Sequence, residues 1–83
     1  MINFIDELPT FIVPDTQGEV EAELRTYNLM RKSLESYAER AIPCSEEFYS
    51  AVDAVREVDW RIRQLGLAAM KLRYASVKTL GNE

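Results

Sequence analysis

Histidine is absent from this sequence. With it go the commonest general base, the commonest zinc ligand and the Glu-x-x-His pairs of di-iron helical bundles. There is one cysteine, Cys44, so no internal disulfide can form and a reducing compartment fits. The glycines, Gly18, Gly66 and Gly81, stand apart from one another, which leaves no glycine-rich loop for a phosphate. No apolar run approaches the roughly 20 residues of a membrane span. The opening "MINFIDEL" carries Asp6 and Glu7 where a secretory leader would be basic. The expectation is a cytoplasmic, non-enzymatic protein with no cofactor, no metal and no membrane.

What is present is an ordinary globular composition. Apolar residues make up 47% and charged residues 29%, far from the profile of a disordered chain. With 83 residues, one domain over 1–83 is the limit. A chain this size buries only about 60–65% of its unfolded surface. Self-association is a common remedy, and a homodimer is expected. The net charge of −4 is unevenly spread: residues 1–54 hold 11 acids and 4 bases, residues 55–83 hold 3 acids and 6 bases. The acidic half and the basic half are expected to lie against each other.

Three segments follow. Residues 1–19 are apolar but irregular, with Phe4, Leu8, Phe11, Ile12 and Val13 interrupted by Pro9 and Pro14. At most a short helix fits before Pro9, and "PDTQG" reads as a turn. These side chains want a surface, so the segment is expected to dock on the rest.

Residues 20–42 predict a helix. Val20, Leu24, Tyr27, Leu34, Ala38 and Ala41 follow a three-to-four spacing with Arg31 in one seam position, and Met30 and Tyr37 widen the face. Leu29 lies nearly opposite and is expected to be exposed. Pro43 ends the helix, since the residue before a proline avoids the α region. Ser45 is a good N-cap, followed by Glu46 and Glu47 at the positive end of the next macrodipole.

Residues 46–80 predict one long helix, with Gly81 just past its end. Phe48, Ala51, Val55, Val58, Ile62, Leu65, Ala69 and Leu72 alternate steps of three and four, more than three heptads of a single seam. The short linker makes the two helices antiparallel neighbours. The expected fold is therefore all-α, a helical hairpin assembling as a dimeric four-helix bundle. The long helix should overhang the short one beyond residues 66–68, leaving Ala69, Met70, Leu72, Val77 and Leu80 uncovered.

A second stripe lies off that seam. Read down the helix it is Arg56, Trp60, Arg63, Leu67, Lys71, Tyr74 and Lys78, apolar and basic groups interleaved. A helix with two seams touches two other elements. Residues 1–19 could cover the stripe, with Asp6, Glu7 and Asp15 near Arg63, Lys71 or Lys78. Left open, it is a binding face for another protein, because aromatics and arginine favour interface anchors. The rival reading is single-stranded nucleic acid held by stacking and phosphate contacts, against which stands a pI near 4.8.

Other candidate chemistry is weaker. The pairs Glu35/Glu39 and Asp53/Glu57 have helical spacing, but such pairs are usually a solvated face rather than a metal site. Cys44 precedes a helix N-terminus, which can activate a thiol, yet no histidine or second cysteine stands ready to work with it. Gly66 either permits a close helix approach or is merely tolerated.

Overall fold

The computed structural model describes the backbone of residues 3–81 and the side chains of residues 3–75. It contains α1 (Phe4–Glu7), α2 (Gln17–Arg40) and α3 (Glu46–Gly81), and no strand among the described residues. The long helices α2 and α3 pack on each other as an antiparallel hairpin, and α1 packs on α3.

Capping chemistry fixes where each helix starts. Asn3 caps α1 by accepting from the Ile5 N–H. Thr16 caps α2: its Oγ1 accepts from the Glu19 N–H at 3.3 Å and donates to Glu19 Oε1 at 2.9 Å. This is a Thr-x-x-Glu start, related to the capping box. It begins the helix at Gln17, three residues before the expected Val20, and turns the last two residues of the expected "PDTQG" turn into helix. At the other end the helix stops at Arg40 rather than Ile42, with Ala41 extended ahead of Pro43. Ser45 caps α3 as its sequence suggested, its Oγ accepting from the Phe48 N–H at 3.1 Å. Gly81 is the last residue of α3 rather than the residue beyond it.

Starting earlier, α2 reaches further along α3. Ala69 is buried and Leu72 packs against the core, so the overhang is shorter than expected. Met70 is left exposed, while the side chains of Val77 and Leu80 lie outside the described residues.

The core is built on Val20, Tyr27, Val58 and Leu65, each fully or almost fully buried. Side chains of this kind contribute roughly 1.5–3 kcal/mol apiece when buried. On α3 the most buried positions are Ala51, Ala54, Val58, Arg61, Leu65 and Ala69. Compared with the expected seam, the buried face has rotated: Ala54 and Arg61 have joined it, while Val55 and Ile62 are only half-buried.

The cause is the N-terminal segment, which covers the flank of α3 next to α2. It starts near the turn, where the Phe4 N–H donates to Ser50 Oγ at 3.1 Å and the Phe4 ring meets Tyr37 edge-on at 4.9 Å. It then runs along α3, placing Leu8 and Phe11 against the core. Ile12 and Val13 remain exposed.

Arg61 fastens this segment. Its Nε donates to Glu57 Oε2 at 2.8 Å, and its Nη1 donates to the Pro9 carbonyl at 2.7 Å and to Tyr27 Oη at 3.1 Å. Its guanidinium also sits over the Phe11 and Tyr27 rings, 5.4 and 5.6 Å from their centres. Burial opposes the charge, but the hydrogen bonds and attraction from Glu57 and Tyr27 outweigh it and hold the pKa above its ordinary value. One side chain thus ties α2, α3 and the N-terminal segment together.

Among the described residues Asp6, Glu7 and Asp15 form no ion pair with Arg63 or Lys71, and the expected contact with Lys78 lies outside the described residues. Among the described residues the ion pairs are Arg31 with Glu35 and Asp59, and Arg61 with Glu57. Arg31, placed in the seam by its spacing, is instead half-exposed and paired with α3 through Asp59. Gly66 has open space where a Cβ would stand, so no helix approaches closely there.

Candidate functional site

The second stripe lies on the outer face of α3. At about 100° per residue it is centred roughly 160° from the line through Val58 and Leu65, so α2 cannot reach it. Trp60 is 49% exposed, Leu67 50% and Tyr74 68%. Arg56, Arg63 and Lys71 are exposed between them, and the Lys78 side chain lies outside the described residues. The six described members form one continuous face.

The N-terminal segment covers this face at one point. The Phe11 ring meets Trp60 edge-on at 5.5 Å, and the same ring meets Tyr27 at 6.2 Å. Phe11 therefore links the core to one flank of the indole and leaves the other flank open. Arg56 also lines a shallow hollow with Glu35, Glu39 and Val52.

Two members of the face escaped the sequence reading. Met70 is 65% exposed and Tyr49 52%. Both continue the stripe at steps of three and four: Met70 reads first as part of the overhang, and Tyr49 stands a full seven residues ahead of Arg56.

A second apolar feature is a groove of about 470 Å³ between α1 and α2, lined by Phe4, Leu8, Leu29, Met30 and Leu34 among others. Leu29, taken alone, reads as an incidental exposed leucine. It is 67% exposed, but it forms one wall of this groove.

The acidic pairs have arginine for company. Glu35 is bridged by Arg31 and Glu57 by Arg61, and among the described residues no cluster of three or more ligand-type side chains is placed to hold a metal ion. Cys44 is exposed and takes a left-handed backbone conformation, φ 66°. Its side-chain hydrogen bond with Tyr49, aided by slight burial, raises the Tyr49 pKa above the ordinary value. No helix among the described residues is long and apolar enough to cross a membrane.

No protein-family model, curated protein or solved structure matches this chain.

Proposed function

We propose that this chain is a small non-enzymatic interaction module of the cytoplasm, a regulator, adaptor or inhibitor that works as a helical homo-oligomer. The observation that carries the reading is the outer face of α3, where Trp60, Leu67, Met70 and Tyr74 are each about half exposed or more. Large apolar groups lined up on one helix face, with arginines between them, have the composition of an interface core rather than of ordinary surface. The groove walled by Leu29 and Met30 offers a separate apolar surface to a protein of another kind.

Light scattering on the full chain across a concentration series tests the reading. A mass of twice 9.6 kDa or more, falling to 9.6 kDa in Leu67→Asp with helicity unchanged, is the expected result. A monomer at every concentration overturns the homo-oligomer. The interleaved Arg56, Trp60, Arg63 and Lys71 also suit a single strand of nucleic acid. Filter binding at low salt decides that alternative: retention that weakens steeply with added salt would favour it over the protein-interaction reading.

A further inference from the structure

The outer face of α3 is a second heptad seam, and its charges are ordered. From Tyr49, alternating steps of four and three reach Asp53, Arg56, Trp60, Arg63, Leu67 and Met70. Apolar side chains occupy the ends, charged ones the middle, and Trp60 lies between the two arginines. Asp53, Arg56 and Arg63 are all exposed, and among the described residues none of them forms an ion pair.

A helix with an unfilled seam is completed by another helix. The candidates differ in what the charges would meet. Two copies of α3 in parallel would set Asp53 on Asp53 and Arg63 on Arg63, which is unfavourable. Antiparallel pairing admits several registers. Centred near position 62, Asp53 meets Lys71 and Glu46 meets Lys78, but Arg56 and Arg63 face no acid; centred near 65, Arg56 faces Tyr74 and Arg63 faces Leu67. Centred near 54, Asp53 meets Arg56 and Glu46 meets Arg63, but Leu67, Met70 and Tyr74 stay bare.

Centred at the level of Val58, residues equidistant from that point face each other. Asp53 then meets the second copy's Arg63, Arg56 meets its Trp60, and Tyr49 meets its Leu67. Lys71 comes beside the second copy's Glu46. Every charge on the seam has an opposite charge or an aromatic face, and the paired length extends to Met70, which lies opposite the second copy's Glu46. The open flank of Trp60, the one Phe11 leaves free, is available to a guanidinium, a favourable arrangement when partly desolvated.

We propose that two copies of this chain pair antiparallel along the outer faces of α3, about a two-fold axis at the level of Val58, with Asp53 of each opposite Arg63 of the other. This rests on the homo-oligomer reading above and gives it a register. The closed two-fold also brings the basic half of each α3 over the acidic start of its twin, where Glu46, Glu47 and Asp53 stand.

The test is a charge exchange read by light scattering and sedimentation on the full chain, with circular dichroism as the control for folding. Both positions are exposed, so the variants fold. Arg63→Asp alone and Asp53→Arg alone each weaken the dimer by about tenfold or more, since two like-charged contacts replace two attractive ones. The exchange variant D53R/R63D recovers the dimer. Tyr49→Cys with Leu67→Cys, in a Cys44→Ser background, adds an oxidative cross-link between chains. A wild-type dimer that both single variants leave intact overturns the register and spares the oligomer. A dimer weakened by the single variants and weakened further by the exchange points to the axis near 54 and overturns this one. A wild-type monomer overturns both.

Discussion

Arg61 Nη1 stands 3.1 Å from Tyr27 Oη and 2.7 Å from the Pro9 carbonyl oxygen, so one guanidinium nitrogen holds a second helix and the N-terminal segment at once. Arg61→Met keeps much of the bulk and removes the donors. It leaves the Pro9 carbonyl and Tyr27 hydroxyl short of a donor and Glu57 without its cation. Breaking a buried pair costs about 3–5 kcal/mol; Glu57 is a third exposed and can turn to water, so about 2–3 kcal/mol is expected here. Tyr27→Phe loses one neutral acceptor and costs about 1 kcal/mol. Urea denaturation of the two single variants and the double should show costs that do not add. Trp60 fluorescence should shift to the red in Arg61→Met, as Phe11 leaves the indole.

Thr16→Ala removes the acceptor for the Glu19 N–H and frees Glu19 Oε1. The loss expected for such a cap is about 1 kcal/mol. The denaturation midpoint should fall with an unchanged slope. Because Val20 is the first core residue of α2 and lies one turn from this cap, hydrogen exchange at the start of α2 should rise more than exchange near Tyr27.

Cys44→Gly has two expected effects. Glycine accepts the left-handed backbone at φ 66° that a side chain resists, so stability should rise by about 1 kcal/mol. It also removes the hydrogen bond that lifts the Tyr49 pKa above 10.0. In the parent protein the folded form keeps the Tyr49 proton to higher pH than the unfolded chain does. Whatever stability this gives is intact at neutral pH and is lost as pH rises through the folded-state titration. In the variant, phenolate absorbance should show Tyr49 titrating at lower pH.

The hairpin was legible because its signals are local. Heptad steps from Phe48 to Leu72, the Ser45 cap and the proline after Ile42 each act over a few residues. The start of α2 was missed for a compositional reason: "PDTQG" has turn residues, yet Thr16 and Glu19 stand at capping-box spacing within and just after it. Arg61 was missed because apolar periodicity counts an arginine as surface. What buries it comes from Pro9 and Phe11, some 50 residues away, and from Tyr27 across the hairpin. The same distant segment moved the buried face of α3 away from the line that spacing alone picks out. The outer stripe was visible as a pattern, but its extension to Tyr49 and Met70 required knowing which way the helix is turned.

The strap formed by the N-terminal residues is synthesised before the helix on which it depends. Pro9 and Arg61 are 52 positions apart, so closing that contact spans more than half the polypeptide. During translation the strap lacks its anchor until the first half of α3, as far as Arg61, has left the ribosome. Until then Phe11 has neither the Trp60 ring nor the Arg61 guanidinium against it, and the core is completed only once α3 has grown past Leu65 and Ala69.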